Sequence, residues 1–278
     1  MENNFIHRRN SRKGITSRIC LTLDLEEDFA GRIVNHKEAL DLEKILILKK
    51  FLNEENIPLS IFVQGSLLSD PSFYFLSLLA TDNIEFHLHS HKHNFENINS
   101  EEDLNQGIKS FKDFFGYLPI GYRAPEGRVT LGLLSVLQKK DFLFDSSLFP
   151  TFLPKPKYYF NSREFIKNNF LKEVPISGIF FNMIPFSLSW MKLIGRRVFL
   201  LFLYLKLKYS SSETLVFSFH MHDLWELESS KKLPFFWRFI FFRNRKNGLA
   251  FLQELVEFMK KEDLSFELIS KVAKDDLT

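Results

Sequence analysis

In Ile84-Glu-Phe-His-Leu-His-Ser-His-Lys-His93 a short strand pattern runs straight into a histidine cluster. Ile84 to His87 reads as a strand, and the cluster after it holds four of the chain's eight histidines. Within it, His89-Ser90-x-x-His93 has the spacing of a metal-ligand pair. On a helical turn, residues four apart share a face, so both imidazoles can meet one ion while His87 and His91 point elsewhere. Short His-rich tracts also occur as exposed loops, so this run alone leaves both readings open.

Working outward, the chain alternates short apolar runs with helical patterns from residue 18 onward, the signature of βα units and a parallel sheet or barrel. Arg18 to Asp24 (R-I-C-L-T-L-D) reads as a buried strand ending in a carboxylate. Helical periodicity follows in Leu40, Leu42, Ile45, Leu48 and Phe51, within Glu38 to Asn53, and Asn56-Ile57-Pro58 stops it. Leu59 to Val63 is the second strand. Ser100 is an N-cap for a helix that lasts to Phe115, with Gly116 as its stop. Tyr122-Arg123, Phe142 to Phe144 and Leu215 to Phe219 are further strands, Leu249 to Lys261 the last helix, and Ser265 to Ile269 the last strand. Asp24, the His89/His93 pair, Arg123, Asp145 and His220 each fall at or just after a strand's C-terminal end. That is the rim on which a parallel α/β barrel gathers its catalytic groups.

A chain of 278 residues with 45% hydrophobic content can bury one substantial core. The organisation expected is a basic arm over residues 1–17 and one catalytic domain over 18–274, with 178–245 an apolar and basic, insertion-rich region. The 37 basic side chains exceed the 34 acidic ones by too little to argue for nucleic acid as a partner. The single cysteine, Cys20, excludes an internal disulfide and fits a reducing compartment. Residues 1–17 have no apolar core of a signal peptide behind them, and every long apolar run is broken by charge or proline, so a cytoplasmic protein is expected. Two segments, 178–209 and 231–243, interleave Trp, Phe and Leu with Lys and Arg. That composition suits peripheral contact with the inner, anionic face of a membrane. It also suits barrel helices that pack an apolar face inward and let their basic residues snorkel, which is the reading favoured for Val198 to Leu207.

Five motifs in order, Leu21-Thr-Leu-Asp-Leu-Glu-Glu-Asp28, His89-Ser-His-Lys-His93, Gly121-Tyr-Arg-Ala-Pro-Glu-Gly127, Phe144-Asp-Ser-Ser147 and Val216-Phe-Ser-Phe-His220, resemble the polysaccharide deacetylase pattern (NodB homology, carbohydrate esterase family 4). The likeness is close over residues 18–150 and looser over 215–270. It implies a distorted (β/α) TIM-like barrel and a divalent metal, most often zinc, held by one carboxylate and two histidines. The implied histidine ligands are His89 and His93. The family's commonest motif has two adjacent aspartates, base then ligand, whereas Leu25 follows Asp24 here. Alternate residues of an extended segment share a face, so Asp24 is taken as base and Glu26 as ligand, with Glu27 and Asp28 as fallback.

Hydrolysis of an N-acetyl group gives each residue a task. A bound zinc lowers the pKa of water toward ~7 and polarises the carbonyl. Asp24 would take the proton of that water and His220 protonate the departing amine, with His222 as rival acid or groove residue. Arg123 would pair with Asp24, Asp145 would orient His220, and a backbone N–H near Arg123-Ala-Pro would serve the oxyanion. Glu126 replaces an aromatic residue common in the family and alters the expected groove. The function expected is removal of an N-acetyl group from a glycan or lipid-linked saccharide. The rivals are deformylase or amidohydrolase action on another C–N bond, and a catalytically silent protein that binds carbohydrate or glycolipid.

Overall fold

The computed structural model describes residues 17–27, 37–93, 100–150, 171–209, 214–228, 231, 233–235, 239, 243 and 247–275. Nearly all of the 1–17 arm, Asp28 and much of 231–243 therefore lie outside the described residues. Strand β1 (Arg18–Leu25) is the hub of a curled parallel sheet. It pairs along its length with β9 (Thr214–His220), and from Leu21 to Leu25 with β2 (Leu59–Val63). The sheet continues through β3 (Ile84–Leu88), β4 (Gly121–Tyr122), β5 (Phe144–Asp145) and β6 (Lys172–Glu173), all parallel. The last strand, β10 (Ser265–Phe266), pairs only with Arg18 and Ile19. Residues just past β6 return toward β9: Ser177 N–H donates to the Val216 carbonyl at 3.0 Å, and Ser218 N–H to that of Phe186 at 3.1 Å. The result is a distorted (β/α) barrel, the fold class expected.

Strand alternation divides two interiors. Ile19, Leu21, Leu23 and Leu25 of β1, with Leu215, Phe217 and Phe219 of β9, join the large apolar cluster beneath the helices. Cys20, Phe62, Phe144 and Val216 face the other way into a smaller cluster, together with Ile269, Val272 and Ala273 of helix α9 (Ile269–Asp275). The same inward register carries Thr22 and Asp24 on β1. Apolar residues thus fill the lower barrel, and polar ones collect at the strand ends.

Local signals set most boundaries. The Ser100 hydroxyl accepts from Asp103 N–H at the start of α3 (Glu101–Phe115), and Gly116 ends it at φ 81°. Asp41 caps α1 (Leu42–Glu55), Asn56 closes it in the left-handed region, and the single turn α2 (Gly65–Leu68) follows β2. One expectation needs correction, and one helix lies beyond those expected. The last strand stops at Phe266, and Ile269 opens a helix whose apolar side plugs the barrel. Helix α4 (Leu131–Lys139), capped by Thr130, was not anticipated. Within 178–245 lie the hairpin β7 (Gly178–Ile179) and β8 (Ile184–Pro185), helices α5 (Leu188–Ile194) and α6 (Arg196–Tyr209), strand β9 and the single turn α7 (Met221–Leu224). Helix α6 buries Phe199 and Leu203 and exposes Val198, Leu201, Tyr204 and Leu205. Helix α8 (Gly248–Lys261) packs against α5 and α7. Among the described residues, no helix is long and apolar enough to cross a membrane.

Candidate active site

Asp24 and Glu26 share the inward face at the end of β1 and are both buried. Glu26 Oε2 lies 3.3 Å from His93 Nδ1 and 3.6 Å from His89 Nε2. These three residues offer donor atoms that all lie within 4.8 Å of one another. Glu27 turns away: its N–H donates to Gln64 Oε1 at 3.0 Å, and its carboxylate accepts from the Ser66 hydroxyl at 3.2 Å.

The two histidines converge by a route other than the helical turn expected. Residues 89–93 form no helix, and Ser90 sits at φ 53°. The loop is pinned from two sides. Gly65 N–H donates to the Ser90 carbonyl, and Ser66 N–H to that of His91. Asp103, in the first turn of α3, accepts from His91 N–H at 2.9 Å and Lys92 N–H at 3.1 Å. A Cβ on Gly65 would come within 2.9 Å of Gly107 Cα, so two glycines let α3 approach closely enough for Asp103 to reach the loop.

The remaining coordinates of the pair come from other strands. His89 Nδ1 donates to the Arg123 carbonyl at 2.7 Å, which leaves Nε2 as the acceptor nitrogen facing Glu26. Burial drives its pKa down and keeps the ring neutral, as a ligand must be. One carboxylate and two imidazoles is the donor set of a catalytic zinc site, so these residues fit such an ion.

Beside this triad lies a buried ion pair. Arg123 Nη1 donates to Asp24 Oδ1 at 2.6 Å and to the Thr22 hydroxyl at 2.9 Å. Its Nε donates to the Ser146 carbonyl at 3.0 Å, Nη2 to the Ser146 hydroxyl at 2.8 Å, and the guanidinium lies 4.0 Å above the Phe62 ring. Burial alone would raise the Asp24 pKa, but Arg123, with His89 and His220 nearby, outweighs it and holds the carboxyl below its ordinary value.

His220 ends β9 with Nε2 3.7 Å from Asp24 Oδ2 and 3.9 Å from Glu26 Oε1. The carboxylate on its other nitrogen is Asp223, not Asp145 as expected. Asp223 Oδ2 lies 3.2 Å from Nδ1 and accepts the His220 backbone N–H at 3.1 Å. Burial opposes charge on His220, yet Asp223, Glu26 and Asp24 together raise its pKa to about 9. Asp145 instead accepts from the hydroxyl and N–H of Ser147, whose oxygen accepts from Ala124 N–H at 2.7 Å. Asp145 therefore steadies the chain next to Arg123. Opposite it, burial and the neighbouring Asp145 push the Glu173 carboxyl well above its ordinary value.

The backbone N–H groups of Arg123 and Ala124 are already committed, to the Leu88 carbonyl and the Ser147 hydroxyl, so an oxyanion donor near Arg123-Ala-Pro would have to come from another N–H of that segment. His222, the rival acid, lies in α7 just past the end of β9 and stacks on His220 at 4.6 Å and 18°. His220, His222 and Asp223 also bring donor atoms within 4.8 Å of one another, making a second candidate metal group. Lys192 already neutralises Asp223 there, with Nζ 3.6 Å from Oδ1. Sequence reasoning missed Asp223, Lys192 and Asp103. The first had a readable signal, because a carboxylate three residues after a strand-ending His220 is placed to cap the turn between them.

No family model matches the sequence, and no curated protein matches it. Solved structures do match in fold. A candidate polysaccharide deacetylase from Mycobacterium smegmatis superposes with a TM-score of 0.58 over 95% of this chain and 91% of its own, at 18% identity. A family 4 acetyl xylan esterase from Clostridium thermocellum, in complex with a cobalt ion, gives 0.51 over 92% and 89%, at 11% identity. A family 4 carbohydrate esterase pseudoenzyme from Bacillus anthracis gives 0.51 over 93% of this chain and 66% of its own, at 10% identity. The chain thus has the fold of these carbohydrate esterases.

Proposed function

We propose that this chain is a metal-dependent hydrolase that removes an N-acetyl group from a sugar of a glycan or lipid-linked saccharide. The observation that carries the reading is the Glu26, His89 and His93 donor triad set directly beside the Asp24–Arg123 pair and His220. Glu26, His89 and His93 would hold the ion, with zinc the choice that fits one carboxylate and two imidazoles. When bound, such an ion acidifies water and polarises a carbonyl. Asp24, kept ionised and aimed by Arg123, accepts the proton of the attacking water. His220, charged through its acidic neighbours, gives its Nε2 proton to the amine as the C–N bond breaks, and Asp223 keeps the imidazole in place. The fold of an acetyl xylan esterase and of a deacetylase is the same, so the N-acetyl group rests on the motif resemblance and on a charged acid poised for an amine leaving group.

A catalytically silent carbohydrate-binding protein is the second reading, favoured by Leu25 where the family's commonest motif has its second aspartate, and by the pseudoenzyme that shares the fold. The position of Glu26 against both histidines weighs against it. Elemental analysis of the purified protein beside His89→Ala/His93→Ala, after exchange against a weak chelator, tests the metal. About one divalent ion per chain in wild type and none in the variant is expected. Asp24→Asn should keep the ion and abolish turnover. A wild type that holds no ion after added zinc would end the hydrolase reading.

A further inference from the structure

Lys192 lies on the inner side of α5 with none of its surface exposed. Its Nζ donates to the Asp223 carbonyl at 2.9 Å and stands 3.6 Å from Asp223 Oδ1. One turn earlier, the Ser189 hydroxyl donates to that same oxygen at 2.8 Å. Asp223 is thus gripped at its backbone and at one carboxylate oxygen from α5, while the other oxygen faces His220 Nδ1 and N–H. An ionised carboxylate only accepts, so Nδ1 carries the hydrogen in this contact and Nε2 is the nitrogen presented to Asp24 and Glu26.

A fully buried ammonium is costly unless paired, and an apolar side chain on the same helix face would fill its volume without that cost. What an apolar residue would not do is neutralise Asp223 on the side away from His220. With Lys192 in place, the whole carboxylate is buried in its ionised form and its second oxygen is directed to His220. The pairing also explains why His220, His222 and Asp223, though close enough to gather an ion, serve a different role from Glu26, His89 and His93.

We propose that Lys192 is a positioning residue of this site, holding Asp223 so that the His220 imidazole keeps Nδ1 on the carboxylate and Nε2 toward the reacting groups. Its kinetic consequence rests on the deacetylase reading; its structural consequence does not. An amine leaves the tetrahedral intermediate only once protonated, so cleavage of the C–N bond uses the His220 proton. A 4-nitrophenyl ester releases a phenolate that departs with the bond's electron pair and needs no proton. Damage to His220 alignment should therefore fall on amides and spare activated esters, which a general loss of fold would not do.

The experiment has two arms on zinc-loaded Lys192→Met. In the first, ¹H–¹⁵N NMR of ¹⁵N-histidine protein follows the hydrogen-bonded Nδ1–H of His220, assigned through its loss in His220→Gln. The Nδ1–H of His89, bonded to the Arg123 carbonyl, reports on the rest of the site. Loss of the His220 signal with the His89 signal retained supports the proposal. Retention of both overturns it. If both vanish the variant has not folded, and Lys192→Gln, neutral but still a donor, is judged by the same two outcomes. In the second arm, kcat is compared on a chitin oligomer and on 4-nitrophenyl acetate. The amide rate should fall about 10- to 100-fold further than the ester rate, less than the roughly 10²- to 10⁴-fold that a general acid supplies in full, because His220 itself remains in the variant. Equal losses on both probes would refute the positioning role. A wild type that cleaves neither probe would refute the deacetylase reading instead, while the NMR arm would still decide Lys192.

Discussion

Replacing Arg123 with Met removes the guanidinium hydrogen-bonded to Asp24, leaves the carboxylate only the longer 3.7 Å approach of His220, and keeps a similar volume over Phe62. Breaking a buried ion pair from one side costs about 3–5 kcal/mol, because the surviving charge is stranded. Three other acceptors also lose a donor: the Thr22 hydroxyl, the Ser146 hydroxyl and the Ser146 carbonyl. The two hydroxyls keep their own bonds, Thr22 to the Phe217 carbonyl and Ser146 to that of Val174, so their loss is small. The carbonyl adds about 1 kcal/mol. A total near 5 kcal/mol should lower Tm by roughly 10–20 °C in a chain of this size. Asp24→Asn relieves the stranded charge, so Arg123→Met/Asp24→Asn should be more stable than Arg123→Met alone by about 2 kcal/mol or more. Urea unfolding of wild type, both single variants and the double variant at pH 7 gives the cycle. Strictly additive losses, or an Arg123→Met variant within 1 kcal/mol of wild type, would show that the pair does not hold Asp24 as described.

Glu85 accepts from the Ser60 hydroxyl at 2.6 Å and Ser270 N–H at 3.0 Å, and faces His87 Nε2 at 3.0 Å. Burial opposes its charge, but these partners bring its pKa from 4.5 down to about 2. A folded value below the unfolded one adds stability above pH 4.5 that is lost as pH falls toward 2. Between pH 7 and pH 3 wild type should therefore lose about 2 kcal/mol more than Glu85→Gln; denaturation curves giving the same gap at both pH values would contradict this. At Gly248, the first residue of α8, helix propensity favours alanine by about 1 kcal/mol. A Cβ there would collide with the Asp223 carbonyl and Leu224 Cα, so overpacking of about 1–3 kcal/mol should win. A Gly248→Ala variant that melts above wild type would show that the turn carrying His220 can yield.

The strands and their polar ends were legible because a parallel barrel buries both faces of each strand, and only its rim tolerates charge. Leu59–Val63 and the Ser100–Gly116 helix match their expected limits for that reason: local caps and apolar runs determine them. Asp24, Glu26, His89, His93, Arg123 and His220 come together as the motif order implied. What was not legible depends on contacts distant in sequence. The His89–His93 approach has helical spacing but arises from a loop pinned by Asp103, which only the fold brings near. The orienting carboxylate was sought at Asp145 by family likeness, although the β5 strand end directs it to Ser147 and Glu173. Lys192 was hidden within a segment whose basic residues read as a surface feature, yet it is the one turned inward.

The departure from the family's adjacent aspartates has a simple structural resolution. Adjacent residues on a straight strand face opposite ways, and Leu25 indeed turns outward into the helix-side core with Leu23. Glu26, two residues beyond Asp24, keeps the inward face, and its extra methylene carries the carboxylate to His89 and His93. Asp24 is thereby left to Arg123. The two carboxylates become distinct by neighbour: one is held by a guanidinium, the environment the proposed base requires, and the other faces two imidazoles, the environment the proposed metal ligand requires. His220 stands 3.7 Å from the first and 3.9 Å from the second, and its own Asp223 keeps the proton on it. On the hydrolase reading proposed above, Asp24 would serve as base and His220 as acid, each beside a different buried counter-charge, which is the division of labour that hydrolysis of an amide demands.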